Sequence, residues 1–237
     1  MAKYGTQSPI ITKAKSLVVA CDVPFEKFPA LLRETRSIQE IKAYKIPARA
    51  GRRGWEEWNR TLRSYTNKIS IYDHQKAGTD VPDTQREFMR DVKESGFKAV
   101  ILYPRLEDSS EIHEAHIMEA IDAGLKVMVG GKMTHQLFNQ EQYEMALRIY
   151  ETAYKNGIRN FGLPANSISD LNFSEVIRKK FNEEVDFFLI GIGLQGGSLE
   201  EVVKMFNGTR FHPIVGRLIY EAKDMKQAAL DLASKLH

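Results

Sequence analysis

Residues 98–130, KAVILYPRLEDSSEIHEAHIMEAIDAGLKVMVG, contain the pattern that decides the fold. Two short apolar runs, 98–103 and 125–130, flank the segment 111–123, in which apolar residues recur at helical spacing. Gly124 follows that segment, at the position where a left-handed helix C-cap is expected. The stretch therefore predicts a strand, a helix and a second strand. Uninterrupted apolar runs are typical of parallel strands that are covered on both faces.

The same alternation of apolar runs and helical segments continues through the whole chain. Eight runs qualify as strands: 16–22, 39–46, 68–73, 98–103, 125–130, 158–162, 186–191 and 210–215. Eight strand–helix units in 237 residues predict an α/β protein with one domain over residues 1–237, a (β/α)8 or TIM barrel. The alternative is an open, doubly wound sheet, whose first strand would normally lead into a glycine-rich turn. Here Asp22-Val23-Pro24 follows instead.

Two smaller expectations concern an additional N-terminal helix and the N-caps of two other helices. We expect residues 5–15 to form a short N-terminal helix that closes the bottom of the barrel. Ser169 and Ser198 stand where helix N-caps belong, and Glu201 would complete a capping box with Ser198.

The composition is that of an ordinary folded protein. The chain is 43% hydrophobic and 27% charged, with a net charge of +3. Lysine and arginine are spread along the chain rather than clustered, so we expect no nucleic-acid partner. The single cysteine, Cys21, excludes an intramolecular disulfide. Without an apolar run long enough for a transmembrane helix, or an apolar signal core, we expect a cytoplasmic protein with no membrane partner.

His113 and His116 lie three residues apart on a predicted helix, a spacing that could suit a metal ion. No third ligand lies in register with them. We therefore interpret the two histidines as part of a polar helix face and predict no metal site.

Charged side chains recur at the predicted C-terminal ends of strands, where barrel enzymes carry their active sites. Asp22 ends the first strand and Lys45 the second. The third strand ends in Asp73-His74-Gln75-Lys76-Ala77-Gly78-Thr79-Asp80, which brings two carboxylates and one ammonium together after an apolar run. Such clusters shift pKa values and indicate functional sites.

The last two predicted strands are followed by residues suited to an anion. Gly191-Ile192-Gly193-Leu194-Gln195-Gly196-Gly197 follows the seventh strand, and Arg217 follows the eighth. Glycines let backbone N–H groups approach an anion, and a guanidinium binds phosphate oxygens. The loops after strands 7 and 8 are the usual phosphate site of this fold. The sequence therefore predicts a phosphate-binding site here.

Together these motifs resemble those of the orotidine 5′-phosphate decarboxylase family. The resemblance runs from Val18 to about Leu232, and it rests most on the glycine-rich loop and on Val215-Gly216-Arg217-Leu218-Ile219-Tyr220. One departure is clear. The family spacing Asp-x-Lys-x-x-Asp is two residues longer in this chain, between Asp73 and Asp80, and Lys76 is the only lysine between them.

The resemblance implies decarboxylation of orotidine 5′-phosphate to UMP, the last step of pyrimidine biosynthesis, without a metal or an organic cofactor. It implies that Lys76 protonates a carbanion-like transition state and that Asp73 and Asp80 complete the catalytic array. It also implies a homodimer in which Asp80 and Thr84 reach the partner's site. The substrate-binding residues that it implies are Asp22, Lys45, Thr84, Thr134, Gln195, Gly196, Gly197 and Arg217.

Two other functions stay open on the sequence. Magnesium-dependent hexulose-phosphate synthases and keto-gulonate-phosphate decarboxylases resemble this fold, but they usually need an acidic ligand near the second strand, where this chain has Lys45. The other possibility is a catalytically silent sugar-phosphate-binding protein. The lengthened spacing between Asp73 and Asp80 is its only support.

Overall fold

The computed structural model describes residues 5–74, 81–134, 138–181 and 185–236. Within these ranges, eight parallel strands pair in chain order: β1 (Leu17–Ala20), β2 (Ile41–Pro47), β3 (Ile69–Asp73), β4 (Ala99–Leu102), β5 (Lys126–Gly130), β6 (Asn160–Pro164), β7 (Asp186–Ile190) and β8 (Arg210–Val215). Strand β8 also pairs with β1, so the sheet closes into a barrel. Closure confirms the predicted (β/α)8 fold and excludes the open sheet.

Helices alternate with the strands along the chain, and the last two helices both follow β8. They are α1 (Phe28–Thr35), α2 (Trp55–Tyr65), α3 (Pro82–Glu94), α4 (Ser110–Asp122), α5 (Gln140–Lys155), α6 (Ile168–Lys180), α7 (Leu199–Phe206), α8 (Arg217–Tyr220) and α9 (Met225–Ser234). As predicted, Gly124 follows α4 with a φ of 79°, a conformation that favours glycine. Across the described ranges, no helix has the length and apolar character needed to cross a membrane.

The serine caps of two helices differ in outcome. Ser198 caps α7 as predicted, because its hydroxyl accepts a hydrogen bond from the N–H of Glu201 at 3.3 Å. The prediction that Ser169 is an N-cap is wrong. Ser167, with extended backbone, caps α6 instead and accepts from the N–H of Asp170 at 3.1 Å. The helix begins earlier than predicted because Ser167 satisfies the free N–H group of its first turn.

Side chains alternate between the inside and the outside of the barrel along each strand. In β2, Ala43 belongs to the cluster inside the barrel, while the next residue, Tyr44, packs with the surrounding helices. In β3, Ile71 faces inward and Tyr72 outward in the same way. This alternation decides which residues at the C-terminal ends of the strands face the barrel axis.

The N-terminal segment 5–15 forms no helix, so that expectation is wrong. Ile10 and Ile11 are nevertheless buried inside the barrel cluster, so the segment does close the barrel bottom. Its polar groups bond to the barrel rather than within a helix. The N–H of Ile10 donates to Asn160 Oδ1 at 3.0 Å, and the Gln7 amide exchanges hydrogen bonds with the backbone around the start of β5. These tertiary hydrogen bonds take the place of the backbone hydrogen bonds that a helix would form within the segment.

A buried polar network lies at the N-terminal ends of the strands. The Ser16 hydroxyl is 2.9 Å from His212 Nδ1, and His212 Nε2 is 3.7 Å from Asp186 Oδ1. Arg210 bonds to the same carboxylate. The order serine, histidine, aspartate is that of a catalytic triad, but this network lies at the opposite end of the barrel from the strand termini that carry active sites, and its serine is buried. It therefore contributes to structure.

Three buried histidines lie between α4 and the end of β3. His113 and His116 are 3% and 2% exposed, so interpreting them as a polar helix face is wrong. The ring of His116 lies 6.0 Å from that of His74, and His113 Nε2 is 2.7 Å from the Arg105 carbonyl oxygen. Burial, followed by the neighbouring His74 and His113, lowers the pKa of His116 to about 3. His116 is therefore neutral in the folded protein at neutral pH.

The His116 site predicts acid sensitivity. Its folded-state pKa lies below the unfolded value of about 6.5, so its stabilisation is complete above that pH and is lost as pH falls towards 3. Replacing His116→Phe keeps a ring in place and removes the titration. Between pH 7 and pH 5, urea unfolding should show the variant losing about 2 kcal/mol less stability than the unmodified chain. Parallel pH profiles for the two proteins would contradict the assignment.

Candidate active site

A cavity of about 710 Å³ opens at the C-terminal ends of the strands. It lies at the end of the barrel where the sequence predicts a site. Six of the predicted site residues line it: Asp22, Lys45, Asp73, Thr134, Gln195 and Arg217. Strand ends that are far apart in sequence therefore meet around one cavity.

The floor of the cavity carries a buried ammonium between two carboxylates. Lys45 follows inward-facing Ala43 by two residues, and Asp73 follows inward-facing Ile71 by two, so both side chains face the barrel axis. The Lys45 ammonium bonds to Asp73 and lies 3.5 Å from Asp22 Oδ2. Lys45 and Asp73 are buried, whereas 43% of the Asp22 side chain is exposed to the cavity and solvent.

The charge of Lys45 depends on these two partners. Burial by itself lowers the pKa of a lysine, but Asp73 and then Asp22 outweigh it and raise the pKa above the ordinary value. Lys45 therefore remains an ammonium at neutral pH. Removing either partner of such a buried pair leaves an uncompensated charge, which is strongly unfavourable.

The glycine-rich loop after β7 is folded back on itself by its own hydrogen bonds. The N–H of Gly196 donates to the Gly193 carbonyl at 2.7 Å, and that of Gly197 to the Gly191 carbonyl at 3.2 Å. A Cβ at position 197 would lie 2.1 Å from the Ala165 carbonyl oxygen, so only glycine fits there. A phosphate contact from the amides of Gly196 and Gly197 therefore requires these internal bonds to open.

The other predicted contacts surround the cavity on loops and one short helix. Gln195 lies on the glycine-rich loop, and Arg217 is the first residue of α8. Both side chains are exposed, and within the described part of the chain no side-chain hydrogen bond or ion pair holds either of them. Thr134 lies on the loop after β5, on the far side of the glycine-rich loop from α8.

Five predicted residues are not among the six that line this cavity. Gly196 and Gly197 belong to the folded loop described above, whose amides bond within the loop. Lys76 and Asp80 lie outside the described residues, as does the departure in their spacing. Thr84 is exposed in the first turn of α3 and is not part of the cavity wall. Its position agrees with a role outside the site of its own chain, but no contact in the structure tests that role.

The cavity also contains residues that the sequence analysis missed. Asn166 follows β6, Arg49 belongs to the 3-10 helix Ala48–Arg53 after β2, and Tyr220 ends α8. The sequence signal for Asn166 is its position two residues beyond a strand, but its side chain is uncharged and does not stand out among the charges at the strand ends. Arg49 lies four residues after Lys45, and a search for cations beyond the strand end would have found it.

Lys132, two residues beyond β5, does not line the cavity. It is 6% exposed, pairs with Asp170 of α6, and lies over the Phe138 ring with Nζ 5.0 Å from the centroid. Among the described residues, no group of three or more histidine, cysteine, aspartate or glutamate side chains is arranged to hold a metal ion.

The arrangement of charges suits an anionic ligand with two different ends. Arg217 and the glycine-rich loop offer cationic and hydrogen-bonding groups at the rim, where a phosphate would remain partly hydrated. The floor offers a buried ammonium and two carboxylates. These fixed charges can stabilise charge that develops on a reacting group more strongly than water can.

Comparison with known proteins agrees with this geometry. The chain is 31% identical to orotidine 5′-phosphate decarboxylase of Methanosarcina mazei over 157 residues, covering 66% of this chain and 68% of the relative. It is 26% identical to the Pyrococcus abyssi enzyme of the same name over 177 residues, covering 75% and 78%. No protein-family model matches the chain.

A solved structure shows the same fold. The crystal structure of orotidine 5′-phosphate decarboxylase from Pyrococcus horikoshii OT3 superimposes with a TM-score of 0.75 at 22% identity, covering 93% of this chain and 98% of the other. From its sequence similarity, together with the barrel and the charged cavity, the chain belongs to the orotidine 5′-phosphate decarboxylase family of carboxy-lyases.

Proposed function

We propose that this protein converts orotidine 5′-phosphate to UMP and carbon dioxide. The observation that carries the proposal is the buried Lys45 ammonium between Asp73 and Asp22, on the floor of a cavity whose rim carries Arg217. The two named relatives in Methanosarcina mazei and Pyrococcus abyssi support the same reaction.

The proposed chemistry is electrostatic. Loss of carbon dioxide from C6 of the pyrimidine leaves negative charge on a ring carbon, and preorganised charges lower the energy of that state. Asp73 faces the departing carboxylate, so the repulsion between the two groups falls as carbon dioxide leaves. Lys76 donates the proton to C6. Lys76 and Asp80 lie outside the described residues, so their roles rest on the family resemblance and on their sequence distance from Asp73.

Lys45 has a second role in this proposal. Its ammonium fixes the Asp73 carboxylate through the pair on the cavity floor, and together with Asp22 it binds the ribose hydroxyls. A carboxylate held in this way loses little freedom when the substrate arrives, which favours catalysis by orientation.

The remaining contacts bind the nucleotide. Thr134 hydrogen-bonds the pyrimidine edge, Gln195 bridges the pyrimidine and the phosphate, and Arg217 binds the phosphate with the amides of Gly196 and Gly197. The cavity lining supports the first three side chains. The two amides take part only after the internal bonds of the loop open.

The proposal is metal-independent. In the magnesium-dependent alternative, carboxylates near the second strand are neutralised by a divalent cation. In this chain the Lys45 ammonium lies between the two floor carboxylates and offsets one of their two negative charges, and the named relatives do not favour that alternative.

The first test is turnover with and without a chelator. The purified chain should consume orotidine 5′-phosphate, followed by its loss of absorbance, at the same rate in EDTA as in magnesium, because the transition state is stabilised by side-chain charges. Activity that disappears in EDTA and returns with magnesium would instead support the magnesium-dependent class. Absence of turnover with retained UMP binding would support a silent binding protein.

Arg217→Ala tests the phosphate site. Losing a charge-assisted contact costs about 1.5–3 kcal/mol, which corresponds to roughly a 10- to 150-fold weaker affinity for UMP by calorimetry. Arg90→Ala is the matched control, because Arg90 is exposed on α3, where it pairs with Glu87. Equal UMP affinity in the Arg217→Ala and Arg90→Ala proteins would show that the phosphate binds elsewhere.

Subunit mixing tests Lys76, Asp80 and the homodimer together. Lys76→Ala and Asp80→Ala should each abolish turnover while UMP binding is largely kept, because their contacts form in the transition state. If Asp80 acts in the partner's site, each heterodimer of the two variants contains one unmodified site. Random exchange should therefore restore about a quarter of the unmodified activity. Verified exchange without recovery would contradict the shared site.

A further inference from the structure

The buried pair of Lys132 and Asp170 lies directly behind the cavity wall. Lys132 ends the glycine-containing turn after β5, and Asp170 lies in the first turn of α6. The two side chains bond to each other and are 6% and 3% exposed. Neither residue lines the cavity.

The carboxylate of Asp170 is fixed on both of its oxygens. Oδ1 bonds to Lys132, and Oδ2 accepts from the Ser167 hydroxyl at 2.9 Å. Ser167 in turn caps α6 through the N–H of Asp170. The position of the Lys132 ammonium is therefore tied to the start of α6 by bonds in defined directions, which an apolar contact would not provide.

A second contact joins the same two segments at the cavity itself. Asn166 Nδ2 donates to the backbone carbonyl of Thr134 at 3.0 Å, and both residues line the cavity. Thr134 is two residues from Lys132, and Asn166 is four from Asp170. The Lys132–Asp170 ion pair and the hydrogen bond from Asn166 to Thr134 thus hold the loop after β5 against the start of α6 at two points.

The same start of α6 also lies under the glycine-rich loop. A Cβ at Gly196 would come within 2.7 Å of the Asn166 carbonyl oxygen, and a Cβ at Gly191 within 2.8 Å of Asn166 Cβ. Residues 165–170 therefore contact both the loop that carries Thr134 and the loop that carries Gln195.

We infer that Lys132 and Asp170 are positioning residues that hold Thr134 in place for recognition of the pyrimidine. The inference rests on the proposed function and deepens it. A buried ion pair is a weak source of stability compared with apolar residues of similar size, but it restricts the arrangements of the segments that it joins. Its effect should therefore appear in binding of the base more than in binding of the phosphate.

Asp170→Asn tests the inference. The amide keeps the shape of the side chain and the Ser167 contact but removes the charge that holds Lys132. UMP affinity should fall by about tenfold or more, with a matching rise in KM, while affinity for ribose 5-phosphate, which has no base, changes by less than about threefold. Asp186→Asn is the matched control: this carboxylate is 2% exposed and paired with Arg210, but it lies at the other end of the barrel. The control should lower the melting temperature without changing the ratio of the two affinities.

A double variant without the two charges keeps the inference testable if the Asp170→Asn protein does not fold. Lys132→Met/Asp170→Leu should fold, because apolar replacement of both partners removes the buried charges together. Relative to the unmodified chain, its affinity for UMP should still fall by more than its affinity for ribose 5-phosphate. Unchanged UMP affinity in this variant, or in a folded Asp170→Asn protein, would overturn the positioning role while leaving turnover by the unmodified chain intact. An unmodified chain that neither binds UMP nor turns over substrate would overturn the proposed function and this inference with it.

Discussion

The ammonium of Lys45, held between Asp73 and Asp22, is the constraint on which the rest of the site depends. It joins the ends of β1, β2 and β3, and it lies directly above the apolar interior formed by residues such as Ala43 and Ile71. Without Lys45, Asp73 would lose the buried ammonium with which it pairs, and without Asp73 the ammonium would keep the more exposed Asp22 at 3.5 Å. The same three groups produce the field that the proposed reaction uses.

Much of the fold could be predicted because its signals are local. The strands are continuous apolar runs, and the structure places each of the eight within two residues of the predicted bounds. The N-terminal segment could not be predicted in this way. Its backbone bonds go to Asn160 and to the start of β5, more than a hundred residues away, so no nearby residue signals that it stays irregular.

The site could be predicted in part, and the division has a physical reason. Charges at strand ends converge in any closed barrel, so Asp22, Lys45 and Asp73 were found from position alone.

Whether a charged side chain faces the cavity or lies behind its wall depends on strand register and on the partners of that side chain. Lys132, two residues beyond β5, lies behind the cavity wall because it pairs with Asp170. Asn166 is uncharged and gave no electrostatic signal, although it lies in the cavity. The interpretation of His113 and His116 was wrong because α4 buries these two side chains, while Glu111 and Glu114 of the same helix are exposed.

The seam between β1 and β8 has a consequence for biosynthesis. Lys15 bridges to Phe211, and the N–H of Phe211 donates to the Ala14 carbonyl at 2.9 Å, so the first and last strands fasten one another. A ribosome delivers the chain from its N-terminus. Asp22 therefore emerges with β1 long before Arg217 and the strand that completes the cavity. Until β8 emerges, the nascent chain exposes an open sheet edge with a row of unpaired backbone groups, the form of the molecule most prone to pair with a neighbour.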